Sequence, residues 1–328
     1  LDQLLNSFMG TVDTLIVSNI GSAAISAVSL VDAINILVVE AFLALAAGGT
    51  VVCSQYLGNK DVEKANKAAG QLVFVTFFLS LLMAVICIAF HEPILRAIFG
   101  KVEKEVMDNA KIYFLFSAVA FPFIALYDDG ASILRAQENS RLPMQISIIA
   151  NVLNVVLNLL FVWGFHLGVG GSAWATRAFA MAAVLYELRK PKWTVHLKSY
   201  FSIRPDWDQI RRILKIGIPS GIENSMFQFG KLAIQSTVSM MGTAAIAAQG
   251  MTNTLENLNG IMAIGVGIGL MTVVGECMGA GRQDEAIYYV KKLSIIGEVV
   301  VIASCLFIFA LVRPITYFGG MEQGSASM

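Results

Sequence analysis

Charge is scarce in this chain, and so are the motifs of soluble catalysis. Only 14% of its 328 residues are charged and 56% are hydrophobic, against about 25% and roughly 45–50% in an average soluble domain. A water-soluble fold is therefore not expected. Lys+Arg 23 against Asp+Glu 23 leaves a formal net charge of +0. The clustered positive excess that nucleic acid demands is missing, so no nucleic-acid partner is expected. A mean hydropathy of +0.70 excludes disorder, and the lack of long charged heptads excludes a coiled coil. Cys53, Cys87, Cys277 and Cys305 share no CxxC or metal-like spacing and read as small packing residues. No metal and no cofactor is expected. HExxH and GxSxG are absent. Tyr127-Asp128 resembles half of an intramembrane aspartyl protease site, but Gly267-Ile-Gly269 is followed by Leu270 instead of the second acid. An enzyme is not expected. The start, LDQLLNSFMG, has no basic n-region and reads as a helix entered part-way along, not as a signal peptide.

What fills the chain is apolar sequence. A helix crossing a hydrocarbon core about 30 Å thick needs roughly 20 apolar residues. Runs of that length lie at 1–20, 24–52, 68–90, 112–134, 143–165, 169–188, 216–241, 245–274 and 289–312, which predicts an all-α polytopic membrane protein with about nine spans. The longest polar connection, between Glu187 and Lys215, holds two prolines and eight basic residues. The expected organisation is an N-terminal lobe over 1–188, an amphipathic linker over 189–215 and a partial C-terminal lobe over 216–328. If the first loop faces out, the inner loops hold 16 Lys and Arg and the outer loops 5. The positive-inside bias then puts the linker in the cytoplasm of a plasma-membrane protein. Only Arg177 and Lys231 remain after that count, and both fall inside spans.

An internal repeat is the most informative feature. Val17-Ser-Asn-Ile-Gly-Ser-Ala-Ala-Ile-Ser-Ala27 returns as Val238-Ser-Met-Met-Gly-Thr-Ala-Ala-Ile-Ala-Ala248, an offset of 221 residues. The same offset matches Gly48 to Gly269, Gly58 to Gly279, Ala65 to Ala286 and Pro93 to Pro314. Six spans separate the copies, so both have one orientation and should be related by an axis along the membrane normal. The second copy has 107 residues where the first has 221, so about three spans are expected beyond this chain and twelve in the intact protein.

Polar residues interrupt the apolar runs at helical spacing. Ser147, Asn151, Asn154 and Asn158 are spaced by 4, 3 and 4, as are Asn224, Gln228, Lys231 and Gln235, the latter set beside Glu223. Each set shares one helix face, which must point at other helices or at water because lipid cannot hydrogen-bond it. A lone lysine in mid-membrane costs roughly 3 kcal/mol or more, so Lys231 needs a polar cavity or an acid. Glu256, Asp32 and Glu40 are its candidate partners. Asp128 and Asp129 read as snorkelling toward the cytoplasmic surface. Gly260, Gly265, Gly267 and Gly269 suggest a helix that packs closely or bends.

Taken together, several features resemble the multidrug and toxic compound extrusion (MATE) family. They are two six-span repeats, Gln55-Tyr-Leu-Gly58 with its echo Glu276-Cys-Met-Gly279, Leu134-Arg-Ala-Gln-Glu-Asn-Ser-Arg-Leu-Pro143, and Gly168-Val-Gly-Gly-Ser-Ala-Trp-Ala-Thr176. The resemblance implies a twelve-helix antiporter, expected as a monomer in the lipid bilayer, exporting small organic cations through a cleft between two lobes. It carries an ion-coupling site of the N-terminal lobe onto Asp13, Asn154, Asn158 and Thr176. Glu223, Gln228, Lys231 and Glu256 are candidates for the cleft in the C-terminal lobe. Where the family often has a second acid this chain has Asn158, which favours H+ over Na+ as coupling ion. Glu138 stands where glycine is common. A flippase for lipid-linked oligosaccharides, built on a related architecture, is the alternative, but its cleft would need more cations than Lys231 and Arg177.

Overall fold

A computed structural model describes residues 22–99, 104–159, 170–197, 204–239 and 243–318. All regular structure among them is helical: α1 (Ser22–Gly58), α2 (Val62–Ala89), α3 (His91–Phe99), α4 (Lys104–Ala136), α5 (Arg141–Leu159), α6 (Gly170–Leu188), α7 (Trp207–Ser239), α8 (Thr243–Gly279) and α9 (Gln283–Phe318). Ile34–Gly58, Val62–Ala89, Met107–Ala136 and Gln283–Ala310 are long and apolar enough to cross a membrane. The span expected over 1–20 lies outside the described residues. The short helix α3 was not expected. It forms because Glu92 and Arg96, one turn apart, pair at 2.5 Å while Leu95 is buried beneath them.

The core of the first repeat lies among α1, α2, α4 and α6, where Val52, Leu72, Leu134 and Val184 are buried together. Further along, Phe42 and Phe121 meet edge to face with centroids 6.2 Å apart. By contrast Val299, Leu306, Phe307 and Phe309 of α9 are exposed among the described residues. Of the four cysteines, Cys53, Cys87 and Cys277 are buried as expected, whereas Cys305, on α9, is exposed.

The repeat is visible in the backbone. After α1, Asn59, Lys60 and Asp61 donate their N–H groups to the carbonyls of Gln55, Leu57 and Tyr56. After α8, Ala280, Gly281 and Arg282 donate to Glu276, Met278 and Cys277, the same bonds 221 residues on. Lys60 (φ 58°) and Gly281 (φ 72°) take the same left-handed turn. The two turns also meet. A Cβ on Gly58 would stand 2.1 Å from the Glu276 carbonyl oxygen, and one on Gly279 would stand 1.9 Å from that of Gln55. The matched glycines thus let α1 and α8 cross at backbone contact. Of the two readings of Gly260, Gly265, Gly267 and Gly269, close packing is not seen among the described residues: apart from chain neighbours and the helix's own backbone, nothing described lies within 4 Å of a Cβ built there. Beyond their crossing the two helices part.

The linker docks on the same end. Asn66 donates to the Thr194 carbonyl (3.1 Å) and accepts from the His196 N–H (2.8 Å), while Gln137 brackets Val195 in the same two-way fashion at 3.0 and 2.8 Å. The α1–α2, α4–α5 and α8–α9 turns and the linker, all expected on one side, therefore converge. Helix α7 starts at Trp207, inside the segment 189–215 expected as linker. Asp206 caps it, accepting from the N–H groups of Asp208 (3.0 Å) and Gln209 (3.4 Å), and also pairs with Lys67.

The hydrogen bond from Lys67 holds the Asp206 carboxyl below its ordinary range. Stability from this lowered acid is fully present above about pH 4 and lost as pH falls through the lowered value. Limited proteolysis of the linker should then proceed at one rate from about pH 5 to 8. Asp206→Asn, which keeps the cap, should speed it slightly, and Asp206→Ala, which loses cap and pair, should speed it more.

Candidate functional site

In the first repeat, α5 is started by Asn139, whose side chain accepts from the Leu142 N–H at 3.1 Å. Helix α5 then carries the asparagine face toward α6. There the Asn154 amide donates to the Thr176 hydroxyl at 3.3 Å, and Thr176 is buried. Two of the four residues proposed for this lobe are thus in direct contact. Asn158 follows one turn along α5, but its side chain, like the whole of Asp13, lies outside the described residues.

A second assembly joins α1 to α4. Asp32 accepts from the Tyr113 hydroxyl (3.3 Å) and the Asn35 amide (3.4 Å), and Asn35 also donates to Ser117 at 3.1 Å. Sequence reasoning missed Asn35, Tyr113 and Ser117. The available signal was spacing, since 32 with 35 and 113 with 117 each share a helix face.

The third assembly joins α1 to α7 and α7 to α8. Glu40 of α1 accepts from Asn224 of α7 at 3.0 Å. Farther from the linker end, Lys231 of α7 pairs with Glu256 of α8 at 3.0 Å, and its ammonium stands 5.0 Å above the Phe227 ring. Of the three candidate partners for Lys231, the fold selects Glu256, and commits Asp32 and Glu40 elsewhere. The pair is partly open, with side chains 35% and 51% exposed. Gln228 is half-buried on the same face and Glu223 is exposed. Glu256 stands 23 residues before Gly279, about 35 Å along α8 from the crossing, in the region where α1 and α8 have parted.

One expectation is overturned. Asp129 does not snorkel; it is fully buried, with Thr76 facing its carboxyl and neither oxygen in a well-formed hydrogen bond. The cause is its neighbour Gly130, which packs so tightly on Val184 of α6 that a Cβ would stand 2.2 Å from that side chain. That contact turns Asp129 inward. Among the described residues no group of three His, Cys, Asp or Glu could hold a metal.

Helical repeats that meet at backbone contact, in a chain with apolar helices long enough to cross a membrane, define a polytopic membrane protein built on an internal repeat. The MatE family model matches residues 1–160 and 219–328, and the chain belongs to that family. It is 24% identical to the probable multidrug resistance protein NorM of Thermotoga maritima, over 96% of this chain and 68% of that protein. It is 22% identical to the FAD transporter of Shewanella oneidensis, over 84% of this chain and 62% of that one. Among solved structures, a MOP superfamily transporter from Pyrococcus furiosus shares the fold with a TM-score of 0.90 at 18% identity, covering 99% of this chain and 73% of that one. An outward-facing multidrug resistance MATE family transporter superposes with a TM-score of 0.88 at 18% identity, over 97% and 71%. The chain spans from 59% to 68% of the length of the first four curated relatives it matches.

Proposed function

We propose that the protein containing this chain is an H+-coupled antiporter that exports organic cations, drugs or metabolites by alternating access between two lobes. It would lie in the plasma membrane with the linker in the cytoplasm. The supporting observation is the Lys231–Glu256 pair, partly open between α7 and α8 beyond the Gly58–Gly279 crossing. An ion pair at such a place can be exchanged for a pair with a substrate or broken by a proton, and a closed linker end with parted helices beyond it fits one of the two states that alternating access requires. Coupling to H+ rests on the family resemblance, which groups Asp13 with two asparagines and a threonine and supplies no second acid at Asn158 to help hold Na+.

The test is transport of a fluorescent organic cation into inside-out vesicles holding the full-length protein, with H+ and Na+ gradients imposed separately. Accumulation driven by H+ alone is expected. Accumulation driven only by Na+ would overturn the coupling, and movement of lipid-linked oligosaccharide without cation transport would favour the flippase. In the same assay Lys231→Ala should cut transport roughly tenfold while Lys231→Arg stays close to wild type, because only the former leaves Glu256 unpaired at a working site.

A further inference from the structure

The linker end carries two adjoining hollows that the transport cycle proposed above does not use. The first, of about 700 Å³, lies between the start of α7 and the α1–α2 turn, and Lys64, Arg211, Arg212 and Lys215 stand in its walls with Asp206 and Asp208. The second, of about 680 Å³, follows one face of α7 past Trp207, Leu214, Ile218 and Pro219, and shares Arg211 and Lys215 with the first. Cationic and apolar walls are thus continuous along α7, which the sequence predicts to enter the membrane over 216–241.

The charges in the first hollow are not balanced internally. Lys64 is paired with Asp61 at 2.7 Å, and Asp206 with Lys67. Arg211, Arg212 and Lys215 are exposed and make no salt bridge among the described residues, which leaves three uncommitted cations against Asp208. Guanidinium pairs are suited to phosphate oxygens, which they bind in a two-pronged fashion. Next to them, Trp207 is 75% exposed and Ile218 53% exposed. An exposed tryptophan at the head of a membrane helix is placed for the headgroup layer, and apolar residues beyond it for acyl chains.

We propose that the two hollows form one binding site for an anionic phospholipid, its phosphate among Arg211, Arg212 and Lys215 and an acyl chain along Leu214 and Ile218. A free anion would use only the first hollow and a zwitterionic lipid would gain little from three cations. Basic clusters at the cytoplasmic ends of membrane helices act on anionic lipids in this way. The site also bridges the repeats, because Tyr56 of α1 donates to Gln209 of α7 at 3.1 Å across the same hollow. A bound headgroup would therefore rest on both.

The experiment compares the purified full-length protein in detergent with phosphatidylglycerol, with phosphatidylcholine of the same chains, and with inorganic phosphate. Lipid retention is read by native mass spectrometry and stability by thermal unfolding. Wild type should retain phosphatidylglycerol in preference to phosphatidylcholine and melt higher with it, with no rise from phosphate. The Arg211→Gln, Arg212→Gln, Lys215→Gln triple variant should lose that retention at least tenfold, whereas Lys291→Gln with Lys292→Gln, on exposed α9 positions, should keep it. Equal retention of both lipids by wild type, undiminished retention by the triple variant, or equal loss in the α9 control would overturn the proposal. Stabilisation by phosphate alone would overturn it in favour of a soluble anion. Should the triple variant not fold, a wild-type dose series of the two lipids still separates these outcomes: preference for phosphatidylglycerol supports the site and equal retention overturns it.

Discussion

Gly279→Val should prise the two repeats apart at the linker end and lower the stability of the full-length protein. A Cβ at position 279 would lie 1.9 Å from the Gln55 carbonyl oxygen, and that atom belongs to helix backbone, which cannot rotate aside as a side chain would. The helices must separate by more than an ångström at their crossing. Overpacking of this kind typically costs about 1–3 kcal/mol, and the alanine variant should sit near 2 with valine above it. Gly265→Ala is the internal control, because no other described atom lies within 4 Å there. Its better helix propensity should leave stability unchanged or raised by up to about 1 kcal/mol. Thermal unfolding of the full-length protein measures both. On a Cys305→Ser background, thiol labelling of buried Cys277 should rise in Gly279→Val. If Gly279→Ala melts like wild type, the backbone crossing does not hold the repeats together.

This contact is only half legible in the chain. The constant offset of 221 identifies Gly58 and Gly279 as equivalent positions, but equivalence under a symmetry axis does not say which surfaces that axis brings together. That depends on how α1 and α8 tilt. The partner of Lys231 has the same status: the cost of a buried lysine demands an acid, and three are available, but only the packing of α7 on α8 chooses Glu256. Asp129 departs from expectation because its position near the end of α4 favours snorkelling, whereas the Gly130–Val184 contact on the next residue fixes its direction. The start of α7 is readable and easily overlooked. Asp206-Trp-Asp-Gln209 has the acceptor and the glutamine three residues on that open a helix, but the prolines and basic residues around it suggest a linker. The spans themselves, the repeat and the asparagine face of α5 rest on hydrophobicity and periodicity, which act locally and are written directly in the chain.

Asp13→Asn should reduce H+-driven accumulation to the level of protein-free vesicles while leaving membrane insertion and equilibrium binding of the organic cation in place. The family resemblance puts Asp13 beside Asn154, Asn158 and Thr176. Of these, Asn154 and Thr176 are joined at 3.3 Å with the amide as donor. A hydroxyl that accepts from one side directs its own proton to another, which is the polarity a carboxylate needs. A carboxylic acid, by contrast, offers a proton of its own. Protonation of Asp13 therefore changes the direction of hydrogen bonding around α5 and α6, and a lobe with two such arrangements can be biased by one proton. Asparagine has the shape of the protonated acid and cannot change state, so the lobe is held in one arrangement and the gradient does no work. Asp13→Glu keeps the titration with altered reach and should retain part of the activity. Wild-type pumping by Asp13→Asn under a proton gradient would move the coupling to the other lobe. There the Glu256 carboxylate, 3.0 Å from Lys231, offers a proton a charge to neutralise and a pair to break, with Glu223 of α7, also exposed, the next acid to test.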